Sequence, residues 1–124
     1  MCYATKYINQ LEQLVRDIKG KHKELGKKLS AIDKQVNVFY HDLEQRPAFN
    51  AVEGYYIAKD LQLLLQQRRV IKSELLRLHT MIKSLEINHV RSKLPKTIKN
   101  VNELVETNSR YETNFKEEAY MVLH

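Results

Sequence analysis

From Ala4 to Leu43 the apolar side chains fall at Ala4, Ile8, Leu11, Val15, Ile18, Leu25, Leu29, Ile32, Val36, Phe39 and Leu43, with His22 on the one remaining rung. The steps alternate between four and three, which keeps every rung on one side of an α-helix, so a helix over about 4–45 is predicted. A second ladder of the same kind runs Ile57, Leu61, Leu64, Arg68, Ile71, Leu75, Leu78, Ile82 and Leu85. It predicts a helix over about 51–90 and is apolar except at Arg68. Between them Gln45-Arg46-Pro47-Ala48-Phe49 interrupts both patterns. Pro47 lacks an amide hydrogen and disfavours helix in the residue before it. Asn50-Ala51-Val52-Glu53 then reads as a capping box, with Asn50 taking an orphan amide of the new helix.

A break of about half a dozen residues between two long helices makes them double back. The expected architecture is all-α: a long antiparallel, coiled-coil-like helical hairpin. The second helix carries a further stripe, Val52, Tyr56, Leu63, Val70 and Met81. A helix apolar on two sides is buried on two sides, which predicts assembly into a helical-bundle oligomer. Leu94-Pro95 is expected to end the second helix. A short helix over about 97–108 follows from Ile98, Val101, Leu104 and Val105, and Asn114-Phe115-Lys116-Glu117 predicts a capped last helix over about 115–123. Neither piece is long enough to stand alone, so both should pack against the hairpin or a neighbouring subunit.

Composition adds limits to this picture. The 124 residues point to one helical domain by size, and only three glycines and two prolines are available to turn the chain. Apolar runs fall far short of the roughly 20 residues that a membrane-spanning helix needs. Polar residues follow Met1-Cys2-Tyr3-Ala4-Thr5 directly, without the apolar core of a secretory signal, so a cytoplasmic setting is expected. Cys2, the lone cysteine, agrees with a reducing compartment. The formal charge of +6 favours an anionic partner: nucleic acid, a nucleotide or an acidic protein face.

Candidate chemistry is sparse. Arg68 sits inside a packing seam and needs an anion, and Arg69 and Lys72 lie three residues apart beside it. The arginine fork donates two parallel hydrogen bonds to phosphate or carboxylate, and lysine adds a point charge. His41, close to the turn, and Tyr55 and Tyr56, just past it, complete a candidate ligand site with Arg68, Arg69 and Lys72. The plainer alternative pairs Arg68 with Asp33 or Glu44, because buried charge is tolerated only when paired. His22 likewise reads first as a register-setting residue of the seam. Lys19, Lys21, Lys23, Lys27 and Lys28 form the densest basic cluster, which reads first as a solvated face and second as a nucleic-acid contact. His41 and Glu44 stand in the reverse of the di-iron order and lack companion carboxylates, so no metal is expected. There is no phosphate loop, no paired cysteine and no nucleophile with an aligned base, so neither a cofactor nor an enzyme is expected.

The run from Tyr40-His41-Asp42-Leu43-Glu44 through Glu53-Gly54-Tyr55 to Leu61, Arg68-Arg69, Lys72 and Glu74 resembles small, functionally uncharacterised all-helical proteins of Gram-positive phages and prophages. The resemblance covers the central third of the chain. It implies a phage protein in the host cytoplasm, of a kind that captures a host defence signal or inhibits a host factor. Three functions are therefore expected, in this order: a counter-defence sponge for an anionic, nucleotide-type signal; a helical protein that binds and inhibits a host protein; and a nucleic-acid binder using the basic face of the first helix.

Overall fold

The computed structural model describes residues 2–124, and these are all-helical, with no strand. Helix α1 spans Tyr3–Gln45, α2 spans Ala51–Ser84, α3 spans Ile87–Tyr111, and a 3-10 helix covers Glu117–Leu123. None is long and apolar enough to cross a membrane. The contacts fall into two compact units. One is Arg16–Glu86; the other joins the residues up to Val15 with Ile87–His124.

Within Arg16–Glu86 the two ladders behave as their spacing requires. Ile18, His22, Leu25, Leu29, Ile32, Phe39 and Leu43 on α1 are half-buried and Val36 is buried. On α2 the rungs from Ile57 to Leu78 are half-buried and Ile82 is buried. The register between the helices can be read from two pairs. Asp33 of α1 meets Arg68 of α2, and His22 meets His79. Eleven residues back along α1 match eleven forward along α2, so the chains run oppositely without a slip. At the start of α2, Asn50 Oδ1 accepts from the Glu53 amide at 2.9 Å, the cap that the sequence predicts. Phe49 lies over Gly54, its ring 3.3 Å from where a Cβ would stand.

The C-terminal boundaries differ from expectation. Helix α2 stops at Ser84, not near residue 90, and α3 begins at Ile87 and continues through Pro95 to Tyr111 in place of a short helix over 97–108. Two causes can be read from the side chains. The α2 ladder reaches Ile82, but the next buried residue is Ile87, a step of five that no single helical face can hold. Leu85 turns outward and Glu86 takes a left-handed φ of 52°, which absorbs the extra residue. From Ile87 a new stripe runs through Val90, Leu94, Ile98 and Val101, buried or half-buried on both sides of Pro95. Continuing that stripe offsets the roughly 3 kcal/mol that an interior proline costs a helix. The unit also buries Val15 of α1, and the Tyr3 hydroxyl donates to the Leu123 carbonyl at 2.6 Å. The last segment is a 3-10 helix whose cap position, Lys116, makes no side-chain cap bond, so the predicted capping box at Asn114 does not form.

Gly20 and Gly26 lie inside α1 with nothing within 4 Å of an added Cβ. Gly20→Ala and Gly26→Ala should each raise the unfolding free energy by about 0.5–1 kcal/mol, the helix-propensity difference, in urea denaturation. A loss of stability in either variant would show that α1 needs the glycine.

Candidate functional site

Of the residues predicted to bind a ligand, Arg69 and Lys72 come together in one concavity. They line a groove of about 530 Å³ in the Arg16–Glu86 unit, with Ser73, Leu75, Leu76 and His79 of α2 and with His22 and Leu29 of α1. Residues three apart share a helix face, so the two cations point into the same space. Neither has a carboxylate within ion-pair reach among the described residues, and the groove's lining contains no acid. The nearest acid in sequence, Glu74, is held by Arg77. Half-buried Leu29 and Leu75 give the groove an apolar floor, and Leu76 lines it as an exposed side chain. At one end the His22 and His79 rings stack with centroids 6.0 Å apart and planes 29° apart.

Arg68 is engaged elsewhere. Its Nε donates to Asp33 Oδ1 at 2.5 Å, so Asp33, and not Glu44, is the partner, and Arg68 is not a residue of the groove. The two side chains retain 37% and 44% of their exposure, so the pair sits at the seam's edge in reach of water.

His41, Tyr55 and Tyr56 are not brought to Arg69 and Lys72, and the register is the reason. His41 lies twelve residues beyond Leu29 on α1, roughly 18 Å at 1.5 Å per residue. Tyr56 lies thirteen residues before Arg69 on α2, roughly 20 Å. Tyr55 and Tyr56 instead meet edge to face at 5.4 Å, and the Lys59 ammonium stands 5.9 Å from the Tyr55 ring centre. A small cavity near the turn, about 140 Å³, is lined by Phe39, Asp42, Leu43, Arg46, Ile57 and Asp60 and by none of the three.

The basic cluster of α1 is partly neutralised from within. Lys21 and Lys28 both bridge to Glu24, at 3.0 and 3.2 Å. Hydrogen bonds from these ammonium groups hold the Glu24 carboxyl below the usual carboxylate range. A lowered pKa stabilises the fold above the ordinary carboxylate range and ceases to do so as pH falls through the lowered value. Because Glu24 is exposed, that contribution is strongly screened.

The other unit holds a cavity of about 830 Å³ lined by Cys2, Val105, Asn108, Ser109, Glu112, Thr113, Phe115, Ala119, Tyr120, Val122 and Leu123. It has an acid and no cation, the wrong lining for an anion. Cys2 caps α1: its sulfur accepts from the Thr5 amide at 3.3 Å and lies 2.9 Å from the Thr5 hydroxyl, and these contacts lower the thiol pKa. The Tyr120 phenol bonds Glu112 at 3.2 Å; desolvation and that carboxylate push its pKa up. No group of three or more His, Cys, Asp or Glu side chains among the described residues is placed to hold a metal ion.

Two half-exposed partners at a seam edge, in reach of water, are worth about 0–1 kcal/mol. Arg68→Leu, which completes the apolar ladder, should therefore change the unfolding free energy by less than about 1 kcal/mol. A loss of several kcal/mol on denaturation would mean that the pair is the register's main support. Comparison with protein families, curated proteins and solved structures finds no match to this chain, so the reading of the groove rests on its own chemistry.

Proposed function

We propose that this chain is a non-enzymatic, all-helical binding protein that takes an anionic small molecule of nucleotide type into the groove at Arg69 and Lys72. One observation carries the reading: two cations one turn apart face a cavity of about 530 Å³ whose lining contains no carboxylate. That volume lies within the range of small-molecule sites, roughly 300–1,000 Å³. Arg69 would clamp a phosphate with its fork and Lys72 would add charge, while the leucine floor and the imidazole faces accept a flat, apolar body. The groove runs ten residues from Arg69 to His79, roughly 15 Å, so the anion and the ring occupy different ends. The phage resemblance supplies the setting: a sponge for a host defence signal, acting in host cytoplasm.

At about −0.3 kcal/mol per non-hydrogen atom, a ligand of about 23 such atoms reaches about −7 kcal/mol, a dissociation constant near 10 μM. About 1 mM nucleotide then adds about 2.7 kcal/mol to the native state and several degrees to the melting temperature. Differential scanning fluorimetry against a nucleotide panel should find such a shift. Arg69→Ala and Lys72→Ala should remove most of it, and Arg68→Leu should leave it in place. No shift with any nucleotide would sink the proposal.

A second reading has its own support. Val52, Tyr56, Leu63 and Val70 of α2 are 56–65% exposed and Met81 is half-buried, so most of the second apolar stripe is left uncovered by the described residues. Such a stripe suits a coiled-coil-like hairpin that pairs with a second copy or binds and inhibits a host protein. A stoichiometric host partner in pull-downs, retained by Arg69→Ala and Lys72→Ala but lost on Leu63→Glu, would favour it. Nucleic-acid binding through α1 draws less support, since Glu24 already engages Lys21 and Lys28.

A further inference from the structure

His22 and His79 have no hydrogen-bond or ion-pair partner within the chain among the described residues; each has only the other's ring. His22 is the one polar rung of the α1 ladder, and His79 meets it from α2 at the edge of that seam. Their separation suits a shared ion. An imidazole nitrogen ligates zinc at about 2.0–2.1 Å, which puts each ring centre about 3.2 Å from the metal. Two rings on one ion then lie between about 4.5 Å apart at a right angle and about 6.4 Å apart in line. The observed 6.0 Å falls inside that range, and turning the stacked rings about their side-chain torsions brings a nitrogen of each to the ion.

We propose that His22 and His79 together bind one divalent transition-metal ion, of the class that prefers imidazole nitrogen (zinc, nickel or copper), as a clip across α1 and α2. Water completes the coordination shell, since the groove offers neither thiol nor carboxylate. The cations of the groove do not forbid it. Lys72 and Arg69 line the same groove but stand seven and ten residues from His79, roughly 10 and 15 Å along the axis, about two turns or more away. Lys19, one turn from His22, is already engaged with another group. The two ligands are 57 residues apart in the sequence, so only the folded register presents them as a pair. Binding must therefore stabilise the native state.

The test uses the full, untagged chain with metal alone and no nucleotide, so its outcome is independent of the ligand proposed above. Urea midpoints are compared in chelator, Zn²⁺, Ni²⁺ and Mg²⁺, each variant being referred to its own midpoint in chelator. An ion at ten times its dissociation constant should lower the unfolding equilibrium constant about tenfold. Zn²⁺ and Ni²⁺ should raise the midpoint; Mg²⁺, which prefers oxygen, should not. His22→Gln and His79→Gln should each abolish the rise. An unmoved midpoint with both Zn²⁺ and Ni²⁺ overturns the proposal. So does a rise that survives in the double variant, which would assign the ion to His41, His89, His124 or Cys2.

Discussion

The register between α1 and α2 is the constraint on which the candidate site depends. It is set by apolar rungs in four-three alternation on both helices, and the Asp33–Arg68 contact and the His22–His79 stack report it at two points eleven residues apart. A shift by one rung would carry His79 away from His22 and Arg68 away from Asp33, while exposing rungs that are now half-buried or buried. Hydrophobic burial along the whole ladder therefore holds the register, and the half-exposed ion pair contributes a small share.

That register explains the division of labour among three neighbouring cations. Arg68 falls on a rung and meets Asp33. Arg69 and Lys72 fall to one side, where α1 contributes a leucine and a histidine but no acid. Charge without a carboxylate partner among the described residues, in a concavity with an apolar floor, is what gives the groove its chemistry. The same register keeps His41, Tyr55 and Tyr56 out of it, several helical turns away. Proximity in sequence to a turn places side chains near that turn, and the groove lies further down the pair.

Elsewhere, packing overrules local preference. Pro95 is the strongest helix breaker after Pro47, yet α3 runs through it because the stripe from Ile87 to Val101 is continuous on both sides. The true break, at Leu85 and Glu86, contains neither Gly nor Pro. Its signal was in the phase: polar His89 occupies the next rung, while Ile87, Val90 and Leu94 begin a stripe out of step with it. Read as a change of phase, the boundary was legible; read as a search for breakers, it was not.

The sequence by itself determined the helical class, the extent of α1, the break and cap around Pro47 and Asn50, and which faces of the first two helices are apolar. These depend on spacing and on the chemistry of single residues, which act over one or two turns. Only the tertiary structure decided that Arg68 takes Asp33 and not Glu44. The groove was also beyond local reading, because His79 lies on a flank with no periodic signal and joins His22 only when two helices are set side by side. A site built across two elements depends on register, and register is a property of the whole ladder.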